Sequence, residues 1–405
     1  MPARTVFAPY ARLFAVPGTR AFSSAGLLAR VPMATAGLGT VLLVEGQSGS
    51  YALAGAVAGT NTLAFAVGSP QWARAMDRRG QSAVVRTTAL LSLAGGLAFV
   101  AAVVTDAPRW TWFVLAVVAG LCSANVGSVV RSRWANALPE PAQRQTAFAF
   151  ESVADEVVFV VGPPLVTFLA ALVAPPLGYL TGLLLGVAGA LVLSRLEATA
   201  PAVVPRVAGQ SRPAVLSPGL VVIAVTYLAV GIVFGAVDVV VVGFAEAQGS
   251  PATAGVALSA YAGGSLVAGL VYGIARLPGS LVTRFLGTAL LFAVVAQALH
   301  LVGSLPALIG IAFLAGLTIA PVLVAGLSVV ESRVARASLT EALTWTTTGL
   351  TVGVTAGSSL AGAAVDHWGA EAAFAVPALG AAVTGLLAVA AWLVLRRPAR
   401  AEVLA

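Results

Sequence analysis

The sequence predicts an all-α integral membrane protein with twelve transmembrane helices in two pseudo-symmetric six-helix halves. Three observations predict it. Of 405 residues, 59% are hydrophobic and only 9% charged, against about 25% charged in soluble domains. Stretches of about 20 apolar residues recur from one end to the other, each long enough to cross roughly 30 Å of hydrocarbon. The arginines fall in small groups between those stretches, and one longer polar connection divides the chain near its middle.

Residues 1–21 hold Arg4, Arg12 and Arg20 and form a cytoplasmic N-terminus. The apolar stretch after them is too long for a signal-peptide core and lacks a small-residue cleavage site, so it is retained as the first span. The spans fall at 22–44, 51–73, 83–105, 110–130, 147–174, 175–194, 217–242, 252–275, 282–303, 306–330, 341–365 and 372–395. With the N-terminus inside, the cytoplasmic segments and their flanks hold 20 of the 22 arginines. Arg109 alone lies in an exterior loop, and Arg30 lies within the first span. The positive-inside rule then puts both termini in the cytoplasm, including the tail 396–405. All basic residues are Arg beside abundant Ala, Val, Gly and Leu, a pattern of GC-rich bacterial genes, so the expected location is a bacterial plasma membrane.

The connection RLEATAPAVVPRVAGQSRPAVLS, 195–217, has no periodicity and is rich in Pro, Ala and Arg. It reads as a linker, 195–216, between halves at 22–194 and 217–395. The halves repeat one another. SRWANALPEPAQRQTAFAFESVADEVVFVVGPPL corresponds to SRVARASLTEALTWTTTGLTVGVTAGSSL, with Trp345 opposite Phe150, and GSPQWARAMDRRG, 68–80, falls opposite GSLVAGLVYGIAR, 264–276. Inverted and parallel repeats of this kind bind substrate near the bilayer midplane.

Charge inside the spans is the main functional signal. Arg30 sits about 4–5 Å from the middle of its span at 1.5 Å per residue. An arginine there costs at least about 2.5–3.5 kcal/mol on insertion scales, so it needs a protein partner or a wet cavity. Pro32 follows and can open the helix. In FAFESVADEVVFVVGPPL, 148–165, Glu151 and Asp155 share a helix face with Gly162, while Glu156 points about 100° away. Glu151 lies about 16 Å and Asp155 about 10 Å from Gly162 along the axis, so Glu151 reaches towards the interface. A carboxylate poised between burial, which favours its proton, and a nearby cation, which favours its charge, can bind and release a proton. Arg30, Glu151, Asp155 and Glu156 are therefore read as a proton or charge relay; a purely structural charge network would use the same residues. Asp238, the lone acid of the seventh span, and Trp345, on a strip with threonines 344 and 346–348, are candidates for a cavity or gate. His300 reads as interfacial. Glycines at Gly55–Gly59 and Gly349–Gly353–Gly357 have the spacing that lets helices pack closely.

No catalytic or metal-ligating constellation is present in the sequence: no Walker A loop, no HExxH and only two histidines. The single Cys122 lies within a span, which leaves no intramolecular disulfide. The expectation is a protein without cofactor or metal that is not an enzyme. Its arginines are spread along the topology and mark no nucleic-acid surface.

The segment ARAMDRRGQ, 73–81, resembles the signature loop of the major facilitator superfamily, Gly-x-x-x-Asp-Arg-x-Gly-Arg. Asp77, Arg78 and Gly80 match; Ala73 and Gln81 replace the first Gly and the last Arg. Gly162-Pro163 resembles the Gly-Pro of that superfamily's antiporter motif, without its following glycines. The superfamily's mid-helix arginine of the fourth span has no counterpart in LAVVAGLCSANVG. The resemblance covers the whole chain and implies a secondary active transporter working by alternating access. It implies helices one and five as neighbours, which would pair Arg30 with Asp155 or Glu156. It also implies a latch in which Asp77 faces the N-terminus of the eleventh helix near Thr340. The expected activity is proton-coupled export of a small organic molecule by a monomer in the lipid bilayer. A uniporter or symporter importing a sugar or organic acid, and a non-transporting sensor or assembly factor, are the alternatives.

Overall fold

In a computed structural model of the chain, residues 8–203, 218–250 and 252–396 are described. Most of the expected linker, the tail from residue 397 and the first seven residues lie outside them. Among the described residues there are no strands and twelve long helical elements. In order they are α1 (Thr19–Ser48), α2 (Tyr51–Arg79), α3 (Gln81–Val104), α4 (Arg109–Ala137), α5 (Pro141–Leu172) and α6 (Pro175–Arg195). Then come α7 (Pro218–Ala247), α8 (Ala252–Ile274), α9 (Leu281–Leu301), α10 (Leu305–Arg333), α11 (Leu339–Trp368) and α12 (Ala370–Leu395). A six-residue helix, Ala8–Leu13, precedes α1. Eleven of the twelve are long and apolar enough to cross a membrane. The other, α2, is 29 residues long and carries Asn61, Gln71, Arg74 and Asp77 among its apolar residues. The chain is a multi-pass membrane protein.

Several helices are interrupted where the sequence supplies a reason. In α1 the helical run breaks at Arg30, with Pro32 in the first turn of the next segment, whose missing N–H is harmless there. In α4 residues 123–125 are unwound between Arg109–Cys122 and Val126–Ala137. Backbone groups freed in a membrane span need protein partners, and they have them. Trp72 Nε1 donates to the Leu121 carbonyl at 2.7 Å, and Ser92 Oγ to that of Cys122 at 3.1 Å. Asn125 Oδ1 caps the second segment by accepting from Ser128 N at 3.0 Å. The α2–α3 corner turns at Gly80, whose φ of +92° suits glycine alone among common residues.

Small residues set the helix spacing. A Cβ at Gly189 of α6 would lie 2.6 Å from the Ala25 carbonyl oxygen of α1. One at Gly349 of α11 would overlap the Ala224 carbonyl oxygen of α7, and those at Gly353 and Gly357 would press still closer on the Leu228 and Ile232 carbonyl oxygens. The expectation of close packing therefore holds for α11 and fails at Gly55–Gly59, where an added Cβ would meet nothing within 4 Å. That part of α2 is open among the described residues; spacing alone does not say which face meets a neighbour.

The described residues form two compact units. One takes its residues from Met1–Glu140, Ala154–Ser211 and Ala335–Thr344, the other from Pro141–Val153, Arg212–Val334 and Trp345–Ala405. The first turns of α11 thus belong with α1–α4, and the first turns of α5 with α8–α10. In the first unit, fully buried Trp134 of α4 takes the ring of Phe22 edge-on at 4.8 Å and that of Phe14 at 5.9 Å. This holds the chain ahead of α1 against the bundle.

Candidate functional site

The break in α1 places Arg30 where its backbone and side chain both turn inward. Its N–H donates to the Gly26 and Leu27 carbonyls, and its Nε to Gly26 O at 3.1 Å. That leaves Nη1 to meet Asp155, 2.6 Å away at Oδ1. The other carboxylate oxygen, Oδ2, accepts from Arg131 Nη2 at 2.8 Å. Asp155 therefore bridges two guanidinium groups, one from α1 and one from α4. Gly127, in the first turn after the α4 break, makes room for this: a Cβ there would lie 3.1 Å from Arg131 Nη1 and 3.6 Å from Arg30 Cδ. The two arginine side chains are 1% and 6% exposed, whereas that of Asp155 is 21% exposed. Charge-assisted bonds to two buried cations hold the acid, yet the acid remains the member of the triad that is open.

Arg131 is the member of this triad that sequence reasoning missed. It stands one residue beyond the expected fourth span, where it counted as a topological arginine; α4 continues to Ala137 and buries it. Glu151, ten residues into α5, is fully buried. Glu156 is half-buried. Gly162 meets Thr35 of α1, where a Cβ would approach Thr35 Cγ2 to 2.9 Å, and Pro163 lines an open apolar groove with Pro164 and Phe168.

A second constellation forms at the end of α2. Asp77 Oδ1 accepts from Thr340 N at 3.3 Å and Oδ2 from Glu341 N at 2.9 Å. These are orphan donors of the first turn of α11, where the helix dipole favours negative charge. One turn back, Arg74 Nη2 donates to Glu341 Oε1 at 2.7 Å, and Glu341 is fully buried. Burial pushes the Asp77 carboxyl up to about 6, against the pull of the Glu341 and Thr340 donors; the Glu341 charge adds to the rise. Arg78 beside it is exposed. Arg74 and Glu341 were not singled out in the sequence: 267 positions apart, they meet only in the fold.

In the other unit, the first turns of α5 are held by Thr146 Oγ1 donating to Gly273 O at 2.5 Å, Gln145 Nε2 to Tyr272 O at 2.9 Å, and Arg144 paired with Glu331 at 3.1 Å. Asp238 is exposed and has no hydrogen bond or ion pair among the described residues. Trp345 is half-buried, with its Nε1 buried and unpartnered. His300 is exposed at the end of α9. Among the described residues no group of three His, Cys, Asp or Glu could hold a metal.

Twelve long helices, several of them interrupted, with buried charged residues and close small-residue packing, make up a polytopic membrane-protein fold. The sequence model of the Major Facilitator Superfamily matches residues 22–241 and 219–405, and the chain belongs to that superfamily, a family of membrane transporters. No curated protein sequence matches it. Among solved structures it is similar to a bacterial homologue of the iron transporter ferroportin in an outward-facing state, with TM-score 0.76 and 13% identity over 93% of this chain and 99% of that one. It is also similar to the human organic anion transporter MFSD10, with TM-score 0.70 and 17% identity over 92% and 100%. A third is the transporter FucP in an outward conformation, with TM-score 0.66 and 14% identity over 91% and 98%. At these identities the likeness is one of fold.

Proposed function

We propose that the chain is a proton-coupled secondary transporter that exports a small organic molecule by alternating access, with Asp155 as the coupling acid. The observation that carries this reading is a carboxylate bridged by Arg30 and Arg131 yet one-fifth exposed. Protonation of Asp155 removes the charge that holds the two guanidinium groups, and deprotonation restores it. Proton occupancy thereby changes how tightly α1, α4 and α5 are tied together. Glu151 and Glu156 on the same helix complete the relay. Asp77, with Arg78 and Gly80 shaping its corner, acts as a conformational latch on α11. Asp238 and Trp345 belong to the substrate path.

The distribution of arginines supports cytoplasmic termini and six-helix halves at 22–194 and 217–395 joined by a cytoplasmic linker. The Gly162-Pro163 motif supports export over import. The protein works as a monomer in the plasma membrane, and no nucleic acid takes part.

The test is proton movement in proteoliposomes with an interior pH dye and a panel of cationic, neutral and sugar-like compounds. Substrate-dependent proton release that disappears in Asp155→Asn, with the protein still folded in the membrane, is the expected result. Substrate flux without proton movement would make the acids structural and the protein a uniporter. Neither signal across a broad panel would favour a sensor or assembly factor.

A further inference from the structure

The latch contact does not stand alone. Thr340, whose backbone N–H is held by Asp77, also accepts through Oγ1 from Gln81 Nε2 at 3.3 Å and donates to Ser132 Oγ at 3.2 Å. Gln81 is the first residue of α3, and its carbonyl end accepts from Arg133 Nε at 3.1 Å. Arg133 in turn reaches the chain just beyond α6: Nη1 donates to Leu196 O at 2.9 Å and to Thr199 Oγ1 at 2.7 Å. Gln81, Ser132, Arg133 and Thr340 are all at most 3% exposed. Thr199 also backs onto Gly18, where a Cβ would lie 2.5 Å from Thr199 Cγ2. That glycine has a φ of +81°, so the chain ahead of α1 meets the same threonine.

We infer that Arg133 and Gln81 are positioning residues that couple the start of the connection after α6 to the first turn of α11. The amide of Gln81 can serve both neighbours in one orientation only, because one end accepts and the other donates. Arg133 spans the remaining gap because a guanidinium offers several donors in a fixed fork. Arg, not Gln, closes the signature pattern that this loop resembles; in this chain the guanidinium comes from α4, and Gln81 relays it. A shift of residues 196–199 therefore moves Arg133, which moves Gln81 and loosens or tightens Thr340 beside Asp77. The inference rests on reading the Asp77 contact as a latch, and it makes the connection after α6 part of that latch.

Coupling between two sites is reciprocal, which a merely structural set of bonds need not show. Hydrogen exchange in the purified, reconstituted protein reads it at the Thr340 and Glu341 amides and at the Thr199 and Ala200 amides. Thr199→Val, at a half-buried position, removes one acceptor of Arg133 and is expected to speed exchange at Thr340 and Glu341 about threefold, on the scale of one hydrogen bond. Asp77→Asn is expected to speed exchange at Thr199 and Ala200. In a Gln81→Met background, Thr199→Val is expected to have no further effect on α11. Transport should show a lower kcat at unchanged KM for Thr199→Val.

Exchange at α11 that ignores Thr199→Val, or effects of Thr199→Val and Gln81→Met that simply add, would overturn the coupling. If Asp77→Asn itself leaves turnover unchanged, the latch reading fails, while the response of Thr340 to Thr199→Val still decides the coupling.

Discussion

Acidification should tighten the contact between Asp77 and α11. The docked carboxyl is pushed from the ordinary 3.8 up to about 6, by burial first, opposed by the Glu341 and Thr340 donors and reinforced by the Glu341 charge. Arg74 pairs with Glu341 and so sets how strongly that charge is felt. The state with the higher pKa is favoured by protons. Docking therefore gains fully from this group below the undocked value of 3.8 and loses that gain as pH rises through about 6. Between pH 7 and pH 5 the balance moves towards the docked state by about one pKa unit, roughly tenfold or ~1.4 kcal/mol. In Asp77→Asn this dependence disappears, because Asn keeps an acceptor but does not titrate. Spin labels on cysteines replacing exposed Arg79 and Ala335, in a background with Cys122 replaced, would follow the distance distribution against pH. A docked population that falls on acidification, or an equal slope in wild type and Asp77→Asn, would refute the reasoning.

Arg74→Ala takes two guanidinium donors, Nε and Nη2, from fully buried Glu341; it should cost about 3 kcal/mol of stability in a thermal melt, and Glu341→Gln less. Gly353→Ala would put a Cβ 2.9 Å from the Leu228 carbonyl carbon and 3.0 Å from the Gly231 Cα. Overpacking of this kind costs roughly 1–3 kcal/mol and should lower the melting temperature in detergent. Gly55→Ala, with nothing within 4 Å, should leave it unchanged or raise it.

What the sequence makes legible is what hydrophobic length controls. Twelve apolar runs give twelve helices because each must satisfy its own backbone in lipid. The interruptions at Arg30 and Gly80 also announce themselves through Pro32 and a glycine corner. Contacts set by helix rotation and by a residue or two of length are less visible. Arg131 lies one residue past the expected fourth span, and only the unwound segment at 123–125 and the helix to Ala137 turn it towards Asp155. Glu341 reads as an N-terminal helix charge, yet it is buried because Arg74 comes from 267 residues away in sequence. The same limit applies to Gly55–Gly59, whose spacing matches Gly349–Gly353–Gly357 while its surroundings do not. Arg133 carries no local sign of its role at all: its partners are Gln81 at the start of α3 and Leu196 and Thr199 in the connection after α6, both remote in sequence.

The exposures within the Asp155 triad say which member can do chemistry. Arg30 and Arg131 are only 1% and 6% exposed at their side chains, whereas Asp155 is 21% exposed. Glu151, one turn earlier on the same helix face, is fully buried. If protons enter at the exposed acid, a carboxyl-directed reagent should find it first. A carbodiimide with a small amine nucleophile is therefore expected to modify Asp155 and half-buried Glu156 well before Glu151, as read by peptide mass mapping. Modification converts the carboxylate to an amide and removes the charge that holds both arginines. Breaking such a buried pair costs about 3–5 kcal/mol, so labelled protein should melt earlier and lose proton-coupled transport in step with the fraction labelled at Asp155. Labelling at Asp155 with transport intact would leave the triad a structural brace. Labelling of Glu151 as fast as Asp155 would show that water reaches α5 by another path.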